Sequence, residues 1–221
     1  MEKKIVFGYW NIRGLAEPIR YLLYYKKVAF VDKRYTFGEE EWYQEKFSLG
    51  LDFPNLPYLF DGHVKLTQST TILRYLAQKY GMDGATPQDK LRVSLVEQQL
   101  IDLRVSFGMT VYSPQFQTLK QGFVEKAPGR LREVESFLGH ADFICGGYVT
   151  YVDLMLAEIF DLHSYLMPEI LREFPRLKDH RDRVWGLPGL KEYLSSNTYR
   201  RWPINGPMAT FGKDGEEPKR E

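Results

Sequence analysis

Along the first third of the chain, short β-branched and aromatic runs alternate with helical spacing, while helical spacing dominates the remainder. The run 4–9 is short and apolar, 11–14 reads as a turn, and within 15–27 the residues Ile19, Leu22 and Leu23 share one helical face. Strand, turn and helix are predicted in that order. A second extended segment is expected over 29–35, and Asp61-Gly62 between the apolar flanks of 59–66 predicts a hairpin. Ile72, Leu73, Leu76, Ala77 and Tyr80 then form one stripe over 69–80, with Gly81 where a helix C-terminus favours glycine. The first unit therefore reads as βαβ followed by ββα.

Beyond the break Gly84-Ala85-Thr86-Pro87, Val93, Val96, Leu100, Leu103 and Phe107 recur at steps of three and four, which predicts a long amphipathic helix. Phe116, Leu119, Phe123, Leu131, Val134 and Phe137 continue the pattern in a second helix, which Pro128 is expected to kink or divide. Thr150 followed by Asp153 reads as a capping box opening an apolar helix through Leu156, Ile159 and Phe160. Shorter helices are expected over 169–174, 176–185 and 190–196. From Gly212 the polar residues offer nothing to bury and predict a loose tail. The pattern divides the chain into 1–83, a linker 84–89 and a helical unit 90–221.

With 221 residues the chain is long enough to bury a sizeable core without disulfides or a structural metal. The single cysteine, Cys145, excludes an internal disulfide and a cysteine zinc cluster, and fits a reducing compartment such as the cytoplasm. Thirty Lys and Arg against 29 Asp and Glu give a net charge of +1, so electrostatic attraction favours neither nucleic acid nor an anionic membrane. Aromatic residues make up 15% of the chain, which predicts a ring-rich core or a cavity lined by rings.

A βαβ unit places its strand-to-helix turn at the carboxyl edge of the sheet, so Tyr9, Trp10, Asn11 and Arg13 stand at a usual ligand address. Pro54 and Pro57 flank a strand entrance, where Pro57 either holds a cis bond and turns Leu56 outward or belongs to an ordinary proline loop. Residues 67–71 open a helix with hydroxyl side chains, suited either to a plain cap or to an anion such as a carboxylate. Trp42 and Lys46, one helical turn apart, form a stacking wall with a carboxylate clamp or a solvated face. The residues alone leave each pair of readings open. His63, His140, His163 and His180 do not fall at metal-ligand spacing, and Cys145 in its apolar setting reads as an inert thiol.

The stretches Gly8-Tyr9-Trp10-Asn11-Ile12-Arg13-Gly14-Leu15, Gly50-Leu51-Asp52-Phe53-Pro54-Asn55-Leu56-Pro57-Tyr58 and Leu66-Thr67-Gln68-Ser69 together resemble the mu-class cytosolic glutathione S-transferases. The likeness continues through Ile72-Leu73-Arg74-Tyr75-Leu76-Ala77 and Val149-Thr150-Tyr151-Val152-Asp153, covering nearly the whole chain. It implies a thioredoxin-like N-terminal domain, α/β, followed by an all-α helical bundle, the cytosolic glutathione transferase fold. It also implies a cytoplasmic homodimer that uses glutathione as co-substrate, binds no permanent cofactor or metal, and adds the thiol to hydrophobic electrophiles.

By that resemblance Tyr9 donates a hydrogen bond to the glutathione sulfur, acting as a neutral donor and not as a base. Trp10, Trp42 and Lys46 hold the glycyl end, Asn55, Leu56 and a cis Pro57 the cysteinyl part, and Gln68 and Ser69 the γ-glutamyl end. Asp102 reaches that last position from the partner subunit, and Phe53 is the aromatic key inserted into the neighbour. Ile12, Leu15, Ile101, Val105, Gly108 and Tyr112 line the electrophile pocket, Tyr112 being a further hydrogen-bond donor. A sequestering protein that binds hydrophobic ligands on the same fold is the alternative reading. Two departures stand out: the loop Tyr35 to Trp42 is short and carries Glu39, Glu40 and Glu41, which removes a cover over the site and disfavours an anionic peptide, and the tail beyond Trp202 differs from the vertebrate pattern.

Overall fold

The computed structural model describes residues 4–220. β1 (Ile5–Trp10), α1 (Glu17–Tyr25), β2 (Phe30–Tyr35) and a short α2 (Glu41–Glu45) lead into the hairpin β3 (Tyr58–Asp61) and β4 (Val64–Thr67), and α3 (Ser69–Lys79) closes the unit. The strands form one sheet in the order β2-β1-β3-β4, with β1 parallel to β2 and antiparallel to β3. In β1 the buried Ile5, Phe7 and Tyr9 take alternate positions, and Gly8 between them is also buried. A Cβ on Gly8 would stand 2.2 Å from the Tyr58 ring, so glycine is what lets that ring cross the strand.

α1 starts two residues later than the periodicity predicts, because Gly14 takes a left-handed backbone with φ of +50° and the chain turns there before entering the helix at Glu17 and Pro18. The remaining elements are helices: α4 (Pro87–Val111), α5 (Phe116–Leu138), α6 (Tyr151–Ser164), α7 (Ile170–Glu173), α8 (Pro175–Trp185) and α9 (Leu190–Leu194). α4 opens inside the expected linker, at a capping box in which Thr86 and Asp89 exchange bonds of 3.1 Å. Thr150 and Asp153 form the box foreseen for α6, whose Asp153 also accepts the buried Ile144 N–H at 2.8 Å.

Two expectations are corrected. Pro128 does not divide α5, because Phe123, Ala127, Leu131 and Val134 are buried along one face and hold both halves of the helix against the bundle. The segment after Gly212 is also not loose: Glu217 accepts the Tyr165 hydroxyl and Arg201 Nε, each at 2.7 Å, and Arg220 bonds Asp161 and Ser164 while stacking over the Tyr165 ring. The buried Asp161 carboxylate supplies what composition did not reveal, a fixed anion for the tail to pair with.

α6, the most continuously buried helix, joins the two halves. Its Glu158 takes both Arg13 Nε at 3.1 Å and Nη2 at 2.6 Å, Asp161 takes Nη2 at 2.8 Å, and Tyr21 donates its hydroxyl to Glu158 at 2.8 Å. Burial opposes ionisation of Asp161, but the guanidinium groups of Arg13 and Arg220 outweigh it and hold the carboxyl below its ordinary range.

Candidate functional site

Tyr9 projects from the end of β1 and is 6% exposed. Its hydroxyl oxygen accepts the backbone N–H of Leu15 at 3.1 Å. One lone pair is thereby used from the protein side, and the hydroxyl proton stays free to be donated to a ligand. Burial pushes the phenol above its ordinary value, against the opposing Leu15 bond and the charge of Arg104, so Tyr9 keeps its proton at neutral pH. The turn reaches this position because Gly14 lacks a side chain: a Cβ there would stand 2.6 Å from the Tyr9 oxygen.

Next to the Leu15 amide that holds Tyr9, the start of α1, the start of α3 and the flank of α4 come together, and Tyr9 itself is not in the lining of the cavity between them. A cavity of about 220 Å3 is bordered by Leu15, Ser69, Leu73, Ile101, Arg104 and Val105 among others. Of the expected electrophile-pocket residues it takes in Leu15, Ile101 and Val105. Ile12 is instead buried in the core, and Gly108 and Tyr112 lie off its lining. The Tyr112 hydroxyl accepts the Gly206 N–H at 2.9 Å, so the C-terminal segment is tied to the outer end of α4.

The other expected residues fall on neighbouring elements of the same sheet edge. The Leu56–Pro57 peptide is cis, and Asn55 Oδ1 accepts the Leu56 N–H at 2.9 Å. Gln68 is exposed in a left-handed conformation with φ of +71°, a costly backbone for a residue with a Cβ, and Ser69 begins α3 directly after it. Trp42 is buried, edge-on to Tyr35 at 5.4 Å and stacked with Tyr58 at 6.3 Å, so its ring is part of the core. Lys46 follows α2 and lies 5.2 Å from the Phe47 ring centre. Asp102 is exposed and borders the grooves between α4 and α5, not the cavity beside Leu15.

The loop after β2 covers the edge of the sheet. Phe37 stacks on Trp10 at 4.2 Å and 19°, and a Cβ on Gly206 would stand 2.9 Å from the Phe37 ring. Two of the three acidic residues are engaged: Glu40 accepts the Gln44 amide at 2.8 Å and Glu41 pairs with Lys33 at 3.2 Å.

Residues 5–78 match the family described as glutathione S-transferase, N-terminal domain, and residues 101–197 match glutathione S-transferase, C-terminal domain. The chain belongs to the glutathione S-transferase family. A class-mu 26 kDa glutathione S-transferase of Fasciola hepatica, isozyme 7, is 41% identical over 206 residues, covering 93% of this chain and 94% of that protein. A glutathione S-transferase of Tyrophagus putrescentiae is 45% identical over 215 residues, 96% of this chain and 98% of that protein. The crystal structure of the glutathione S-transferase Blo t 8 superposes with a TM-score of 0.87 at 35% identity, covering 94% of this chain and 99% of that one. A sequence named as mu class thus aligns over 93% of this family member.

Sequence reasoning missed Phe37, Arg104 and the Arg13–Glu158 pair. Phe37 carries no periodic signal, lying in a loop, and Arg104 on α4 breaks no apolar spacing and belongs to none of the motifs read from the sequence. The left-handed Gln68 had no signal either, since glutamine is not a residue that advertises that backbone.

Proposed function

We propose that this member of the family conjugates glutathione to hydrophobic electrophiles, with the Tyr9 hydroxyl as the donor that stabilises the thiolate. The observation that carries this reading is the Leu15 N–H on the Tyr9 oxygen, which leaves the phenolic proton for the ligand. A free thiol with a pKa of about 8.5 is only a few per cent ionised at neutral pH, and lowering it by about two units requires about 2.7 kcal/mol. A hydrogen bond to a charged acceptor contributes about 1.5–3 kcal/mol, and a helix N-terminus about 0.3–1. Tyr9 with the start of α1 covers that range.

In this reading the thiol proton leaves to solvent, the thiolate attacks the electrophilic carbon, and a C–S bond forms as the leaving group departs with its electron pair. Leu15, Ile101 and Val105 present the apolar wall against which the electrophile rests. Lys46 receives the glycyl carboxylate, Trp10 and Trp42 build the wall behind it, and the Asn55-Leu56-Pro57 corner faces the cysteinyl backbone. Ligand binding would then exchange the Asn55–Leu56 bond for a bond to the peptide. Gln68 and Ser69 face the γ-glutamyl end, where exposed α3 amides and hydroxyls suit a carboxylate.

The assembly proposed is a homodimer. Phe53 is 73% exposed, and the groove of Leu95, Val96, Gln99, Val134 and Phe137 between α4 and α5 measures about 250 Å3. Asp102 borders this same groove, so in this reading a second copy seated through its Phe53 meets Asp102 with the γ-glutamyl end of its own site at Gln68 and Ser69. That contact is self-complementary and closes as a pair.

Conjugation of chlorodinitrobenzene across glutathione concentration and pH, with wild type and Tyr9→Phe side by side, tests the reading. Saturable turnover in the wild type is expected, with a loss of about 10–100-fold in the variant, little change in glutathione affinity, and a higher pH midpoint. Equal turnover by both proteins would sink the role of Tyr9, and binding of glutathione without turnover would favour a sequestering protein.

A further inference from the structure

Arg104 is a shielded cation near the site that forms no ion pair among the described residues. Its Nη2 donates to the Gly14 carbonyl at 3.0 Å, while Nη1 is shielded from solvent and has no hydrogen-bond partner. The other enclosed guanidinium groups of the domain junction are compensated: Arg13 by Glu158 and Asp161, and Arg20 by Glu17 and Asp32. Glu158, the carboxylate that borders the same cavity as Arg104, is fully engaged with Arg13 and Tyr21. A shielded cation without an anion costs stability, and such costs are retained where function supplies the missing charge.

Geometry identifies the missing charge. Tyr9 takes its anchoring bond from Leu15 N–H, and Arg104 gives its bond to Gly14 C=O, so adjacent residues of one turn hold both groups. Arg104 also borders the cavity together with Leu15 and Ser69. The groups whose charge reaches Arg104 are Tyr9 from β1, Tyr112 from α4, Glu158 from α6 and Arg13 from the turn, and burial holds Tyr9 in its neutral form. Burial lowers the Arg104 guanidinium from its ordinary value, far too little to discharge it at neutral pH.

We propose that Arg104 is a fixed positive charge for the sulfur held at Tyr9, so that the anion missing from the protein is the thiolate that arrives with the substrate. This rests on the glutathione reading above and adds to it a second source of thiolate stabilisation. The donor acts by contact, through the Tyr9 proton; Arg104 acts through the low-dielectric space of the cavity, where a unit charge several ångströms away is felt far more strongly than in water. It favours the thiolate over the thiol, and it persists while negative charge passes to the electrophile.

The test is a titration of the glutathione thiol on the enzyme by its thiolate ultraviolet absorbance, in wild type, Arg104→Gln, Arg104→Met and Arg104→Lys, with glutathione affinity and thermal unfolding measured alongside. The expected result is a midpoint raised by about one pH unit in both neutral variants, a matching fall of about tenfold in kcat/KM below the midpoint, and restoration by lysine. Both neutral variants are expected to unfold at a temperature no lower than wild type, since an uncompensated charge has been removed. A midpoint unmoved in either neutral variant that still binds glutathione overturns the proposal, and so does a shift that lysine fails to restore. Wild type that binds no glutathione, or binds it without lowering its thiol pKa, overturns the glutathione reading itself and this proposal with it.

Discussion

Arg13 and Glu158 form a two-pronged ion pair buried where the β1–α1 turn meets α6, with Nε to Oε1 at 3.1 Å and Nη2 to Oε2 at 2.6 Å. The next two residues in the chain are Gly14 and Leu15, which hold Arg104 and Tyr9. The pair therefore fixes the turn that holds the proposed thiolate donor, and couples it to the helical half of the molecule. Backbone bonds from Arg13 N to Pro203 O at 3.3 Å and from Gly14 N to Ile204 O at 3.1 Å add the C-terminal segment to the same joint.

Removing Arg13 leaves Glu158 and Asp161 buried with fewer cations. Arg13→Met is expected to cost about 3–5 kcal/mol, read as a lowered urea midpoint and Tm. Arg13→Lys, which keeps the charge but loses the planar fork, should fall between the two. An Arg13→Met protein as stable as wild type would show that the pair contributes no more than apolar packing would.

Gly14→Ala strains the chain twice. The position has a left-handed backbone, and the new methyl would meet the Tyr9 oxygen at 2.6 Å. A loss of about 1–2 kcal/mol in stability is expected from the backbone alone. Conjugation should fall more than stability does, because displacement of the hydroxyl breaks its bond with Leu15. A variant with reduced Tm but full activity would separate the glycine from the donor.

The division between what was legible in the sequence and what was not follows from the range of the forces involved. Periodicity found the strands of the sheet, α3, α4 and the Thr150–Asp153 cap, because each is decided by residues a few positions apart. The continuity of α5 through Pro128 and the anchored tail depend on Leu131 and on Asp161, whose burial is set by distant helices. At the candidate site, the βαβ turn and the capping hydroxyls of 67–71 point to Tyr9, Gln68 and Ser69 but leave ligand and structural readings open among fifteen tyrosines, and only the family resemblance chooses between them. Arg104 was invisible because its distinguishing property is a missing partner, which only three dimensions reveal.

His163 makes stability depend on pH. It lies between the rings of Phe107 and Phe123 at 5.5 and 5.2 Å, gives its Nδ1 proton to Ile159 O at 2.7 Å, and has no partner at Nε2. Burial pushes its pKa down to about 4. In the unfolded chain it titrates near 6.5, so between those values the unfolded state binds the proton more readily and stability declines as pH falls. The interval corresponds to a loss on the order of 3 kcal/mol. Above pH 6.5 the imidazole is neutral in both states and contributes no slope. His163→Leu should flatten the dependence of urea unfolding on pH across this window, and parallel curves for the two proteins would place the acid sensitivity elsewhere.

Phe53→Ser tests assembly and chemistry together. A ring 73% exposed on the loop before β3 is costly to leave in water, and its burial in the α4–α5 groove of a second copy would contribute about 1.5–3 kcal/mol at each of two equivalent contacts. Loss of both should move the protein from the proposed dimer to monomer at micromolar concentration, read by sedimentation. Because Asp102 borders the groove proposed to receive the ring, the monomer should also bind glutathione more weakly while keeping its folded Tm within a few degrees. Asp102→Asn separates the effects: it should weaken glutathione binding while the dimer persists. A Phe53→Ser protein that remains dimeric with unaltered affinity would exclude this groove as the interface, whereas a monomer with full affinity would show that each subunit carries a complete glutathione site.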